Sequence, residues 1–224
     1  MDFHDFYNSF NLPVIPFDCG KLCAPHNPNL KPFCCDICHA VPSVYHQEWD
    51  YLVGHTDLWH LWRGDECIGS TEDPRNLMAE TPDTMRLVVC LGPDHCQRNY
   101  RSLSCRQFPF FPYITSDNIF IGLAYNWGFE ETCWVISHLD QVSDDFRVGF
   151  VQFYDQFFQN NPGDIKTYAQ RSFQMRSDFM VQKRSIPLLN RDGGYYLLRP
   201  INQRLRPVEP GRLPLFGVYL EKEQ

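Results

Sequence analysis

The stretch Cys90-Leu91-Gly92-Pro93-Asp94-His95-Cys96-Gln97-Arg98-Asn99-Tyr100-Arg101-Ser102-Leu103-Ser104-Cys105-Arg106-Gln107-Phe108-Pro109-Phe110 decides how this chain is read. It holds three cysteines within 16 residues. Residues 86–89 before it have the pattern of a short strand leading into Cys90. Pro109 and Pro112 after it predict extended chain over 106–117. Downstream, Cys133 completes a group of four: Cys90, Cys96, Cys105 and Cys133. Four thiolates fill a tetrahedral site, and their softness suits zinc or an iron–sulfur centre.

Upstream lies a denser group. Cys19, Cys23, Cys34, Cys35 and Cys38 fall within 20 residues as C-x3-C-x10-C-C-x2-C. A pair two or three residues apart can close on one ion, because the loop between them turns its backbone amides toward the sulfurs. The chain has ten cysteines, none after Cys133, and Cys67 belongs to neither group. In an oxidising compartment an even count reads as disulfides. The opening MDFHDFYNSFNLPVIPFDCG lacks a basic start and an apolar run, so no export signal is expected. No apolar stretch approaches the ~18 residues of a membrane span. The expectation is therefore a cytoplasmic protein with reduced thiols, whose clustering favours a metal over structural disulfides or inert buried thiols.

The quoted segment resembles the YkgJ-type cysteine-cluster family, a zinc- or iron-chelating domain. That pattern runs C-x-L, C-x-x-Y, then R-P-x-x-C-R-x-F-P. Cys90-Leu91, Cys96, Tyr100-Arg101 and Cys105-Arg106-x-Phe108-Pro109 match in order, with Ser102 where the family has proline. A later family cysteine corresponds to Cys133. The family's N-terminal cluster, C-x2–3-C-x2-C-C, is interrupted here by ten residues after Cys23, and Cys38 is extra. The resemblance spans roughly residues 19–135. It implies a metal, and because the family includes flagellin lysine methylases, it implies S-adenosylmethionine as a cofactor only under a protein-lysine methyltransferase reading.

The composition is that of a folded chain: 43% hydrophobic, 15% aromatic, 18 phenylalanines. The net charge of −7 excludes the basic footprint of a nucleic-acid binder. Residues 1–140 carry 18 acids and 8 bases, residues 141–224 carry 9 acids and 12 bases. Thiolates would make the first part more negative unless cations offset them. Arg101 and Arg106, beside the thiol ligands, are candidates to do so from outside the ligand set. The plainer role for Arg106 is a salt bridge or a hydrogen bond to a carbonyl.

The expected fold class is α+β. A cysteine-rich, metal-bound part over 1–140 has little regular structure at its start, where prolines punctuate residues 13–32. A part over 141–224 forms a helical pair packed on short strands, ending in a β-hairpin. A helix is expected over 42–62 from Tyr45, Trp49, Leu52, Thr56, Trp59 and Trp62, with His46, His55 and His60 as solvated surface residues off that stripe. Residues 64–85 read as loop, 119–125 as a strand and 127–131 as a turn. Ser143, Asp144 and Asp145 start a helix over 144–159 whose inner stripe is Phe146, Phe150, Phe153 and Phe157. A second helix is expected over 163–182. Residues 186–189 and 195–198 flank a glycine-containing turn, and 215–220 add a strand. Arg199, Arg204, Arg206 and Arg212, set among prolines, either dock an acidic protein partner or wrap the acidic part of the same chain.

Standard nucleotide, zinc-protease and hydrolase motifs are absent. His95-Cys96 juxtaposes imidazole and thiol, but the surrounding pattern favours Cys96 as a ligand over a nucleophile. Three functions follow: a metal-binding protein holding zinc or an iron–sulfur cluster, a methyltransferase, or an iron–sulfur electron carrier or redox sensor. The partners expected are a metal ion or cluster and, through the basic tail, a protein, with neither nucleic acid nor membrane.

Overall fold

A computed structural model describes residues 7–67 and 74–220 of the chain. The protein mixes helix and strand, an α+β fold. Contacts divide it into two compact units. The first holds the residues up to Asn11 together with Gly20–Arg106, and the second holds Leu12–Cys19 and everything from Gln107. The boundary expected near residue 140 falls inside the second unit, because the strands before it pair with strands after it.

In the first unit, residues 20–40 form only a four-residue helix, α1 (Gly20–Cys23), and short 3-10 turns at Ala24–His26 and Phe33–Cys35. Three strands follow: β1 (Ser43–Tyr45), β2 (Trp59–Leu61) and β3 (Met85–Cys90), with β3 in the middle, antiparallel to both. The helix expected over 42–62 is corrected to α2, His46–His55. Pro42–Tyr45 is diverted because β1 pairs with β3. After Thr56 the aromatic spacing continues, but Trp59 sits opposite Cys90 in a ladder. Val44, Leu52, Leu58 and Val88 form this core. His46, His55 and His60 are exposed, as expected. Helix α3 (Pro74–Glu80) occupies part of the expected 64–85 loop, while 68–73 lie outside the described residues. Helix α4 spans Leu103–Gln107.

The second unit is built on a five-stranded antiparallel sheet in chain order: β4 (Phe110–Ile114), β5 (Phe120–Tyr125), β6 (Ile186–Asn190), β7 (Tyr195–Leu198) and β8 (Leu205–Val208). After the short helix α5 (Trp134–Ser137), the long helices α6 (Asp144–Asn160) and α7 (Asp164–Val181) enter between β5 and β6. The Ser143 hydroxyl accepts the Phe146 amide at 3.2 Å and starts α6. Phe146, Phe150, Phe153 and Phe157 are all buried, each contributing about 2 kcal/mol of apolar burial. The ring of Phe146 lies 5.9 Å from Phe110 on the sheet, and Tyr154 lies 6.2 Å from Phe120. Helix α7 covers β4: the Ser172 hydroxyl accepts the Ile114 amide at 2.9 Å, and Arg176 donates to the Ile114 carbonyl at 3.2 Å.

The strand expected over 215–220 is corrected. The fifth strand is Leu205–Val208, and Gly217–Tyr219 is a 3-10 turn. Arg199, Arg204, Arg206 and Arg212 are all exposed. No helix among the described residues is long and apolar enough to cross a membrane.

Gly122 on β5 has φ +154, and a Cβ there would stand 2.2 Å from the Leu189 carbonyl oxygen on β6. Backbone cannot yield as a flexible side chain can. Gly122→Ala is expected to cost about 2 kcal/mol, read as a lower urea midpoint; an unchanged midpoint would show that the strands part without penalty.

Candidate metal centre

Three of the cysteines predicted as ligands are placed by the quoted segment, and each has a local reason for its position. Cys90 ends β3. The chain then turns at Gly92, whose φ of +97 favours glycine, and the Gly92 amide hydrogen-bonds the Cys90 sulfur. A 3-10 turn follows, in which the His95 amide donates to Gly92 at 3.2 Å and the Cys96 amide to Pro93 at 3.1 Å. That double turn folds Cys96 back toward Cys90. Ser102, fully buried, accepts the Cys105 amide at 3.2 Å and also hydrogen-bonds the Cys105 thiol.

A fourth thiol joins these from the denser upstream group. Cys35 ends the 3-10 turn Phe33–Cys35, its amide donating to Pro32 at 2.8 Å. It acts electrostatically on Cys90, Cys96 and Cys105, and Cys90 acts on Cys105 while Cys96 acts on Cys90. The four sulfurs therefore occupy one neighbourhood. Burial first, and then the neighbouring thiols, push the Cys105 thiol up to about 12. Cys90 and Cys96 are raised for the same two reasons. Arg101 opposes the rise at Cys96 and Cys105, and Arg98 opposes it at Cys96. Among the described residues, no group of three or more His, Cys, Asp or Glu side chains converges tightly enough to hold an ion as it stands. The four thiols are gathered without being closed.

The other predicted ligands have the following places. Cys38 is corrected: it forms a disulfide with Cys67, so its sulfur is not a thiolate ligand in this structure. The expectation of uniformly reduced thiols fails at that pair. Cys34 lies beside Cys35, the two sulfurs 4.0 Å apart. Cys23 is buried at the end of α1, its sulfur 3.7 Å from the Gly20 carbonyl. Cys19 and Cys133 belong to the second unit, so the expected group of Cys90, Cys96, Cys105 and Cys133 is divided between units. Cys133 is buried at the start of α5.

Arg106 is not the charge-offsetting group proposed for it. It is almost fully buried, and its guanidinium donates to the carbonyls of Tyr7 (2.6 Å), Phe10 (2.9 Å), Asn99 (2.7 Å) and Arg101 (2.9 Å). Its plainer role, a donor to backbone carbonyls, is the one it fills, four times over. Arg101, joined by Arg98 at Cys96, supplies the positive charge that acts on the thiols.

Sequence reasoning missed Glu48. Its buried carboxylate accepts the Leu103 amide at 2.6 Å and the Tyr45 amide at 3.3 Å, and so holds the start of the helix that carries Cys105. It also missed Asp36, which knots the loop between Cys35 and Cys38. Asp36 accepts from Asn27 at 3.0 Å, Asn29 at 2.8 Å and the Cys38 amide at 3.1 Å. Burial would raise its carboxyl, but those hydrogen bonds outweigh burial and hold it below its usual range. The one sequence cue was an Asn/Asp-rich, proline-punctuated loop, a turn signal without a stated partner.

Comparison with known proteins finds no matching protein family, no matching curated protein and no matching solved structure.

Proposed function

We propose that this protein binds a metal through Cys35, Cys90, Cys96 and Cys105, as a zinc ion or an iron–sulfur cluster. The observation that carries this reading is that Cys35 lies near enough to Cys90, Cys96 and Cys105, in a segment far away in sequence, for its charge to act on all three. Packed thiols resist losing their protons one after another, because each thiolate repels the next. A cation reverses that cost, and metal binding then releases the protons. The donor chemistry fits: four sulfurs, drawn together by the ion, would make a closed tetrahedral site for zinc or supply the four thiolates of a cluster. Arg101 and Arg98 balance the negative charge from outside the ligand set. Three of the four proposed ligands lie in the segment that resembles the YkgJ-type proteins.

Bound metal supplies either a structural cross-link or, in a cluster, a one-electron couple. The residues of the chain do the rest. The Gly92 amide and the Ser102 hydroxyl orient two of the sulfurs. No described feature favours the methyltransferase reading over this one.

The test is elemental analysis of protein purified without oxygen. About one equivalent of zinc, or iron with acid-labile sulfide, is expected per site, and Cys90→Ser/Cys105→Ser should lose it. Less than half an equivalent of any metal, or full loading of that variant, would overturn the reading. A band near 400 nm that bleaches with dithionite separates the cluster from colourless zinc.

A further inference from the structure

The Cys38–Cys67 disulfide stands outside the four-thiol set, yet it bears on where Cys35 sits. Cys38 follows Cys35 by three residues and is exposed. The turn between them is stiff: the His39 and Ala40 amides both donate to the Asp36 carbonyl, at 2.8 and 2.9 Å, and the Asp36 carboxylate takes the Cys38 amide. Cys67 follows strand β2, and Trp59 on β2 pairs with Cys90. Cys67 is itself steadied, since Glu66 accepts the Arg63 amide at 2.7 Å and the Gly64 amide at 2.8 Å. The disulfide thus ties the loop bearing Cys35 to the sheet that ends in Cys90. Little else of regular structure holds that loop. Between residues 20 and 40 there is only α1 and two 3-10 turns.

We propose that Cys38–Cys67 is a redox latch on the metal centre: the oxidised latch presents Cys35 to Cys90, Cys96 and Cys105, and reduction of the latch weakens metal binding. This inference rests on the metal reading above. Cross-links act by removing chain entropy, and the bond here joins residues 29 apart. Without it, the metal must pay that ordering cost from its own binding energy. The reductant is a dithiol. One of its thiolates attacks the exposed Cys38 sulfur, the Cys38–Cys67 bond breaks, and Cys67 leaves as a thiolate and takes a proton. The second dithiol sulfur then displaces Cys38 from the mixed disulfide, and Cys38 too is protonated. Two electrons and two protons pass to the protein, and the dithiol becomes a cyclic disulfide.

The test measures zinc affinity by competition with a chromophoric chelator, anaerobically, on three forms of the full chain: oxidised wild type, wild type reduced by a dithiol that is then removed, and Cys38→Ser/Cys67→Ser. The double variant removes the latch without adding thiols, and reduction of the wild type reports on the latch even if that variant folds poorly. Both unlatched forms are expected to bind at least tenfold more weakly than the oxidised form. Amide hydrogen exchange over residues 33–40 should quicken in both. Equal affinity across the three forms, or tighter binding by the reduced one, overturns the latch and leaves the metal reading standing. Failure of every form to bind zinc or iron overturns the metal reading and the latch with it.

Discussion

Replacing Arg106 with glutamine lowers the unfolding free energy by about 4 kcal/mol. The side chain is among the largest fully buried ones, 1% exposed, and it makes four hydrogen bonds to backbone carbonyls. Its guanidinium also lies 3.7 Å above the Tyr7 ring. Those carbonyls belong to residues 7–10 and 99–101, so one side chain sews the start of the described chain to the segment between Cys96 and Cys105. Truncation strands acceptors that water cannot reach without opening the structure. Lysine keeps the charge but lacks the planar fork, so Arg106→Lys should recover less than half of the loss. Urea denaturation checks both. A loss under about 1 kcal/mol for the glutamine variant would mean that the carbonyls find other donors.

A second large effect concerns pH. Burial pushes the Glu48 carboxyl up to about 7, against the pull of the Leu103 and Tyr45 amides and of Arg106. Its ordinary value, 4.5, applies in the unfolded chain. The folded protein therefore holds a proton that the unfolded chain has lost. The stability contributed by this group is complete below pH 4.5 and declines as pH rises through about 7, a change on the order of 3 kcal/mol. Glu48→Gln keeps an acceptor for one amide and cannot ionise. The difference in stability between wild type and Glu48→Gln should thus move against the wild type as pH rises from 5 to 8. Parallel pH profiles for the two proteins would contradict it.

The helical pair and the hairpin were legible because their signals are local. Ser143, the two aspartates after it and the phenylalanine stripe all act within a few residues of each other, and so does the turn before Tyr195. The 42–62 segment misled because aromatic residues spaced by threes and fours look alike whether a helix continues or a strand begins. Pairing with β3, some 30 to 45 residues away in sequence, decided it. The site follows the same rule. Cys90, Cys96 and Cys105 share one segment, and turns within that segment fold it back. That Cys35 would lie near them, and that Cys38 would find Cys67, depends on the packing of distant loops, which spacing does not encode. Arg106 was misassigned toward the sulfurs because its neighbour in sequence is Cys105, whereas its side chain leads away to Tyr7 and Phe10.

The five-stranded sheet has two outer strands, and each is closed to a visitor in its own manner. At β4 the terminal amide and carbonyl of Ile114 are already taken by Ser172 and Arg176 of α7. At β8 the sequence Leu205-Arg206-Pro207-Val208 interrupts the row of donors with a proline that has none and sets an exposed cation beside it. Arg206 and Pro207 thus guard β8 against templated strand addition, the route by which exposed sheets seed fibrils.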